Sequence, residues 1–391
     1  MTIKLYWKDP YQKEFKTEVI GLKKNGIILN QTLFYPLSGN QQNDKGILTI
    51  GELTINIENV SLENDEIIHH IPLKSLKRVK IGDQVFGKID WDYRYGLMKA
   101  HTSQHLFSAL AKKNYDLDTV RANINFEDVS LHFSQELSYE QLKTTLQQLN
   151  LICTIDNRKI SPKLLSNEEA KKKSNKIRGS IPKKDQIRVI ETENLDLVCC
   201  GGTHVQNSDE IGPVFLYEFK RGKELKYFIG TKAIEKISEF NTKILDMANS
   251  IDVPIDMIDE KFKRQNNELL SIRNQNKDQL LQILNLNIAY PKEVINGVSV
   301  YVFDYIIDHK LLKKSFNDYP KNSLLLLITD DNRLKIYSNN EKANAEHILK
   351  TLIAKFGGKG GGNPKSAQGS LENTPVNLMK EINLILEEFN K

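Results

Sequence analysis

Over residues 1–90 apolar and polar residues alternate in short runs, as in Gly26-Ile27-Ile28-Leu29 and Leu48-Thr49-Ile50, and Gly, Pro, Asn and Asp punctuate them. Alternation of this kind marks strands with one buried face. Together with the turn-then-strand rhythm of Val79-Lys80-Ile81-Gly82-Asp83-Gln84-Val85, it predicts a small β-barrel. The period changes at Trp91. From there to Asn114, Met98, Leu106, Ala109 and Leu110 fall at helical spacings, with His101 and His105 among them. Alternation returns over 119–134, residues 139–151 read as an amphipathic helix, and Val189-Ile190 and Val214-Phe215-Leu216-Tyr217 read as strands. Residues 91–232 are thus expected to form a mixed α+β domain.

From Ala233 the pattern is helical. One helix is expected to end near Ser250, because Pro254 disfavours helical geometry in Val253. A second is expected over 256–287. Its apolar positions Ile258, Phe262, Leu269, Ile272, Leu280 and Ile283 keep a three-four spacing, interrupted by Asn276. Such a seam suits a strut or a homodimer contact, which the C-terminal domain would serve equally well; the pattern does not choose. Beyond Pro291, strands over 298–305, 324–329 and 333–337 and helices over 343–356 and 376–389 predict an α/β domain, with Gly357-Gly358-Lys359-Gly360-Gly361-Gly362-Asn363-Pro364 between the helices. The expected fold class is α+β multidomain: barrel 1–90, mixed core 91–232, helical linker 233–290, C-terminal α/β domain 291–391.

The length of 391 residues suits several cores better than one. No run approaches the ~18 apolar residues of a membrane span, and residues 1–13 lack the apolar core of a signal peptide. Cys153, Cys199 and Cys200 make no disulfide framework. A cytoplasmic protein without membrane partners is expected. The net charge of +5 is unevenly spread. Between Lys159 and Arg188, ten Lys and Arg stand against three acids, a local +7. Lys171, Lys172, Lys173 and Arg178 in this stretch are candidate contacts to a phosphate backbone, the plain alternative being a solvated lysine-rich loop.

The sharpest chemistry lies in two pairs. His101 and His105, four apart on a predicted helix, share one face. Cys200-Gly201-Gly202-Thr203-His204 sets a thiol and an imidazole at the same interval, with two glycines to permit a tight turn. Three imidazoles and a thiolate make a tetrahedral zinc set, one ion per chain, and four protein ligands ordinarily mark a closed, structural site.

These residues resemble a family. His101-Thr102-Ser103-Gln104-His105-Leu106 and Cys200-Gly201-Gly202-Thr203-His204-Val205 are similar to the paired signatures of the alanyl-tRNA synthetase editing domain and the free-standing AlaX editing proteins. The run from Phe34 through Gly39 and Gln41 to Gly46 is similar to the glycine motif preceding that editing core. Trp91-Asp92-Tyr93-Arg94, Arg188-Val189-Ile190 and Glu210-Ile211-Gly212 also have counterparts there, and the glycine run with Pro364, Ala367, Gln368 and Gly369 resembles the C-terminal domain shared by alanyl-tRNA synthetases and some DHH-type phosphoesterases. Asn40 departs from the family in standing for a second glycine, Arg121-Ala122-Asn123 in replacing a Gly-aromatic-His, and Lys226 in replacing an arginine. A chain without the synthetase's ATP-binding domain ahead of the barrel is expected.

The resemblance implies a trans-acting deacylase that clears serine or glycine from tRNA(Ala). A synthetic site that accepts alanine rejects glycine by only ~1–3 kcal/mol, and it cannot firmly exclude serine. An editing pocket must then recognise the hydroxyl. Thr119 is the candidate for that contact, with Gln41 approaching from the barrel beside Gly39; Gln104 reads as structural. Lys359 with Gly360, Gly361 and Gly362 forms a candidate tRNA contact, the alternative being a flexible linker. A non-catalytic tRNA-binding protein with a structural zinc is the rival. A phosphoesterase is not supported, since Asp308-His309-Lys310 is the nearest thing to its metal motif.

Overall fold

The structure, a computed structural model, describes residues 2–303, 309–328, 333–373 and 375–388. It falls into two compact units, Met1–Ile251 and Asp252–Lys391. The helical stretch expected to form one linker over 233–290 is therefore divided between them. Asp308, the ends of the strands expected over 298–305 and 324–329, and Phe389 lie outside the described residues.

The first unit opens with seven antiparallel strands: β1 (Glu14–Lys23), β2 (Gly26–Leu29), β3 (Gly46–Ile50), β4 (Leu53–Ile57), β5 (Val60–Glu63), β6 (Glu66–His70) and β7 (Gln84–Ile89). Their hydrogen-bonded order is β4-β3-β7-β1-β2-β6-β5. The strands are where the alternation puts them, but this ladder has edges at β4 and β5, so the backbone pairing does not close the expected barrel. Phe15, Val19, Leu29, Phe34, Leu48, Ile57 and Ile67 fill its core.

Next comes α1 (Trp91–Tyr115), begun by the Asp90 carboxylate, which accepts from the Tyr93 N–H. The hairpin β8 (Thr119–Asn125) and β9 (Asp128–Phe133), the helix α2 (Tyr139–Thr154), and then β10 (Ile160–Ser166), the short helix α3 (Asn167–Lys172), β11 (Gln186–Thr192) and β12 (Asp196–Cys199) follow. β13 (Val214–Lys220), β14 (Glu224–Ile229) and α4 (Gly230–Ser250) complete the unit. Two antiparallel sheets result, β8-β9-β14-β13 and β10-β11-β12. Helix α1 is buried along most of its length because Leu106, Phe107 and Leu110 pack with Val129, Leu131, Leu225 and Tyr227 of the four-stranded sheet. A helix trapped in this way carries its histidines into the interior.

The second unit begins with α5 (Ile258–Ile288) and continues through β15 (Glu293–Ile295), β16 (Val298–Phe303), α6 (His309–Ser315), β17 (Ser323–Ile328), β18 (Arg333–Ser338), α7 (Ala345–Phe356), β19 (Gly358–Asn363), β20 (Ser366–Leu371) and α8 (Leu378–Glu388). Its six strands run β15-β16-β17-β18-β20-β19, with β16 and β17 parallel. The glycine run, expected to link two helices, is the edge strand β19. A Cβ at Gly360 would meet the backbone of Gln368 and Gly369 and press on Leu349 of α7, and one at Gly362 would meet the backbone of Ser366 and Ala367. Glycine lets the hairpin and the helix close on each other. Among the described residues, no helix is long and apolar enough to cross a membrane.

Candidate metal centre and its cleft

His101 and His105 stand one turn apart on α1, and Cys200 and His204 on the segment leaving β12; their ligand atoms all lie within 4.8 Å of one another. Cys200 Sγ is 3.4 Å from Nε2 of both His101 and His204. The other nitrogens of these two rings are held from behind. His101 Nδ1–H donates to Gln41 Oε1 at 2.7 Å, and His204 Nδ1–H to Thr102 Oγ1 at 3.2 Å. Each hydrogen bond fixes the tautomer whose Nε2 lone pair faces the cluster, which is the outer-layer arrangement of metal-bound histidines. His105 Nδ1 is buried with no hydrogen-bond partner among the described residues.

The electrostatics agree. Burial lowers all three imidazoles, His101 to about 3, so they are neutral bases. Burial raises the Cys200 thiol, against the Gly202 N–H and Arg188. Three neutral imidazoles and a thiol, with one orphaned nitrogen and no carboxylate, fit a borderline-soft divalent cation such as zinc.

The Cys-Gly-Gly-Thr-His segment works differently from its sequence reading. Neither Gly201 nor Gly202 has positive φ. Gly202 is required because a Cβ there would fall on the His101 ring and against Gln41 Oε1. Arg188, on β11, holds the segment by donating to the carbonyls of Cys200 and Gly202, both at 2.9 Å. Replacing Gly202 with alanine is expected to push His101 aside and weaken metal binding by about 10–100-fold, the cost of disturbing a ligand's support. Competition against a chelator will measure it, and an unchanged affinity would separate Gly202 from the site.

Gln41 reaches the site from a turn in which Gly39 and Asn40 have φ of 58° and 65°. Asparagine is among the few other residues that tolerate this region, so Asn40 fills the place of a glycine. The turn is pinned to β8, since the Ile124 N–H donates to Asn40 O at 2.9 Å. Behind it lies a pair that sequence reasoning missed: Arg94 of α1 and Asp44, both fully buried, with Arg94 Nε donating to Asp44 Oδ1 at 2.7 Å.

A cleft of about 320 Å³ opens beside the cluster, bordered by His101, His105, Cys200, Gly39, Gln104, Thr119, Arg121 and Arg178. Thr119 Oγ1 lies 2.7 Å from Ser108 Oγ, which accepts from Gln104 Nε2 at 2.8 Å. Ser108, unremarked in the sequence, sits one helical turn beyond Gln104 and was concealed by the helix pattern. Gln41, expected at the substrate, is not on the cleft wall. Its Oε1 accepts from His101 and from the Thr203 N–H, and its Nε2 donates to Thr203 Oγ1 at 2.9 Å. It supports the His101 ring.

The basic residues divide. Lys171, Lys172 and Lys173 are exposed at the end of α3. Arg178 differs from expectation: Asp196 takes its guanidinium at 2.9 and 2.7 Å, so it braces the cleft wall. Lys359 is exposed on β19, where Gly360 and Gly362 serve the packing of the hairpin.

Comparison with known proteins places these parts. Residues 6–93 match tRNA synthetases class II (A), residues 187–226 the threonyl and alanyl tRNA synthetase second additional domain, and residues 309–391 the DHHA1 domain. The alanyl-tRNA editing protein AlaX-L of Pyrococcus horikoshii is 27% identical over 97% of this chain and 96% of its own length. An alanine–tRNA ligase of Saccharolobus islandicus is 30% identical over all of this chain, which spans 44% of the ligase. A solved structure, the C-Ala domain of Aquifex aeolicus alanyl-tRNA synthetase, aligns with 26% of this chain and 97% of its own at 19% identity and a TM-score of 0.21, too low to bear on the fold. Matched from end to end with an editing protein of that type at 27% identity, and carrying the three synthetase-related segments in order, the chain is similar over its whole length to the AlaX-type alanyl-tRNA editing proteins.

Proposed function

We propose that the chain is a trans-acting aminoacyl-tRNA deacylase that hydrolyses Ser-tRNA(Ala), with Gly-tRNA(Ala) as a second candidate substrate, and with one zinc ion held by His101, His105, Cys200 and His204. The observation that carries this reading is the opening of the four-residue cluster onto a polar cleft, since a metal that served folding alone would gain nothing from an open face. The names of the relatives support the substrate class. Zinc in this site supplies positive charge beside the aminoacyl end, to anchor it or to polarise the ester carbonyl.

The chain's own residues do the rest. Gln41 and Thr102 hold the His101 and His204 rings with Nε2 inward. Gln104 donates to Ser108, and Ser108 shares a hydrogen bond with Thr119; with Ser108 as the donor of that bond, the Thr119 proton is offered to a ligand in the cleft. That free donor suits the hydroxyl of serine, and alanine would leave it unpaired. Lys359 and the lysines at 171–173 supply charge for the tRNA body.

Incubation with serine-, glycine- and alanine-charged tRNA tests the reading. Loss of serine with alanine spared is expected, and the glycine arm reads the second candidate; ester loss no faster than in buffer would leave a tRNA-binding protein with a structural zinc, the reading that four protein ligands favour. Thr119→Val keeps the shape and removes one hydrogen bond, so the serine-to-alanine rate ratio should fall by ~1–2 kcal/mol, about 5–30-fold. An unchanged ratio would take Thr119 out of the selection.

A further inference from the structure

We propose that the open face of β8, β9 and β14, entered from the metal cleft past Arg121, is a track for the single-stranded 3′ end of tRNA, with Arg121 and Lys226 on its phosphates. The inference rests on the deacylase reading for its direction, because an ester held in the cleft brings the preceding nucleotides past its mouth.

The geometry begins with a bulge. Thr119 pairs with Phe133, but Arg121 pairs with His132, so Val120 is one residue too many for its partner strand. A bulge bends its strand and re-aims the side chains that follow. Thr119 stays on the cleft wall, and Arg121 comes to stand between two hollows, bordering both the cleft and a second groove of about 240 Å³. That groove runs along two cross-strand rows, Arg121–His132–Glu224 and Asn123–Ser130–Lys226. The alternate residues Ala122, Ile124, Val129, Leu225 and Tyr227 face the core.

The two rows that border the groove are therefore polar, and aromatic side chains begin only one row further on, at Phe228 and the Tyr217 stacked on it. Of the acids on this face, Glu224 has the His132 ring at 3.4 Å, and Glu218 has both Lys220 and Lys226, at 2.8 and 3.0 Å, so Lys226 shares its carboxylate with a second lysine. Arg121 has no ion-pair partner among the described residues. An unpaired guanidinium followed by an amide, a hydroxyl and an ammonium matches what a single strand offers: phosphates for the cations, base edges and 2′-hydroxyls for the neutral groups. Ordinary sheet spacing puts the backbones of Arg121 and Lys226 about 12 Å apart, a span of a few nucleotides.

The test is a binding measurement on the full, metal-loaded chain, with an uncharged RNA hairpin ending in a single-stranded ACCA and the same hairpin made blunt. The wild type should prefer the overhang by about tenfold at low salt, as expected for a few phosphate and base contacts. Arg121→Glu and Lys226→Glu should each bring the preference below threefold, with metal content and blunt-hairpin affinity unchanged. Arg121→Lys should restore most of it, and Arg121→Gln should lower the salt slope by about 0.7, one single-strand phosphate. A wild type without overhang preference, or a preference that persists in both Glu variants, overturns the track. These readouts involve no hydrolysis. If seryl-tRNA is never cleaved while the variants lose the preference, the deacylase reading falls and the track stands; if cleavage is seen and the variants keep the preference, the track falls alone.

Discussion

A chain carrying both Cys200→Ala and His204→Ala will bind no zinc and release no serine from mischarged tRNA. The two changes remove half of a four-member set whose atoms lie within 4.8 Å of one another, and no carboxylate belongs to that set to take their place. A metal that contributes several kcal/mol of charge stabilisation takes with it a rate factor on the order of a thousand or more. Elemental analysis and deacylation of seryl-tRNA read the two effects separately, and full zinc in the double variant would refute the ligand assignment. Cys199→Ala should change neither, because Cys199 borders the cleft and stands outside the cluster. Loading the wild type at neutral pH should release about one proton per ion, from the Cys200 thiol that burial keeps protonated, since burial already keeps the three imidazoles neutral.

Arg94→Leu should be the most damaging single change to stability in the first unit. It leaves the Asp44 carboxylate buried with no cation, a situation that costs ~3–5 kcal/mol. It also strips a donor from the carbonyls of Leu33 and Pro10, the latter held at 3.1 Å. For a unit of this size, with ~2–4 °C lost per kcal/mol, the melting temperature should fall by about 10 °C. Calorimetry will show it, and a shift under about 2 °C would mean that solvent reaches Asp44. Adding Asp44→Asn to Arg94→Leu should recover part of the loss, because the charge that needed a partner is gone.

The four-residue cluster could be read from the sequence because both pairs obey local rules: a spacing of four on a helix and a spacing of four across two glycines. Their support could not. Arg94 and Asp44 are 50 residues apart, and nothing near either one announces a partner. Gln41 was placed near the site through the family motif, but which way its amide points depends on the Ile124 contact that sets the turn. Alternation located the strands of the first sheet without saying whether its edges meet. The glycine run misleads for a plainer reason. Glycine has little tendency to form strands, and β19 exists because α7 and β20 crowd it, a tertiary cause with no local trace. Conversely, the seam of α5 reads clearly in the sequence, yet Phe262, Leu269 and Ile272 are exposed along it.

The amide of Gln41 joins two processes that would otherwise be separate equilibria. One of its atoms orients His101, both bind Thr203, and its backbone belongs to a turn docked on β8. Free energy passed through such a link is reciprocal: whatever the turn contributes to holding the ion, the ion returns as order in the turn. The N-terminal sheet is thus more than a neighbour of the chemistry. Under the proposed zinc site its folding would enter the binding constant of the metal, and a lesion among its strands would present as a loss of metal, although all four residues of the cluster are intact.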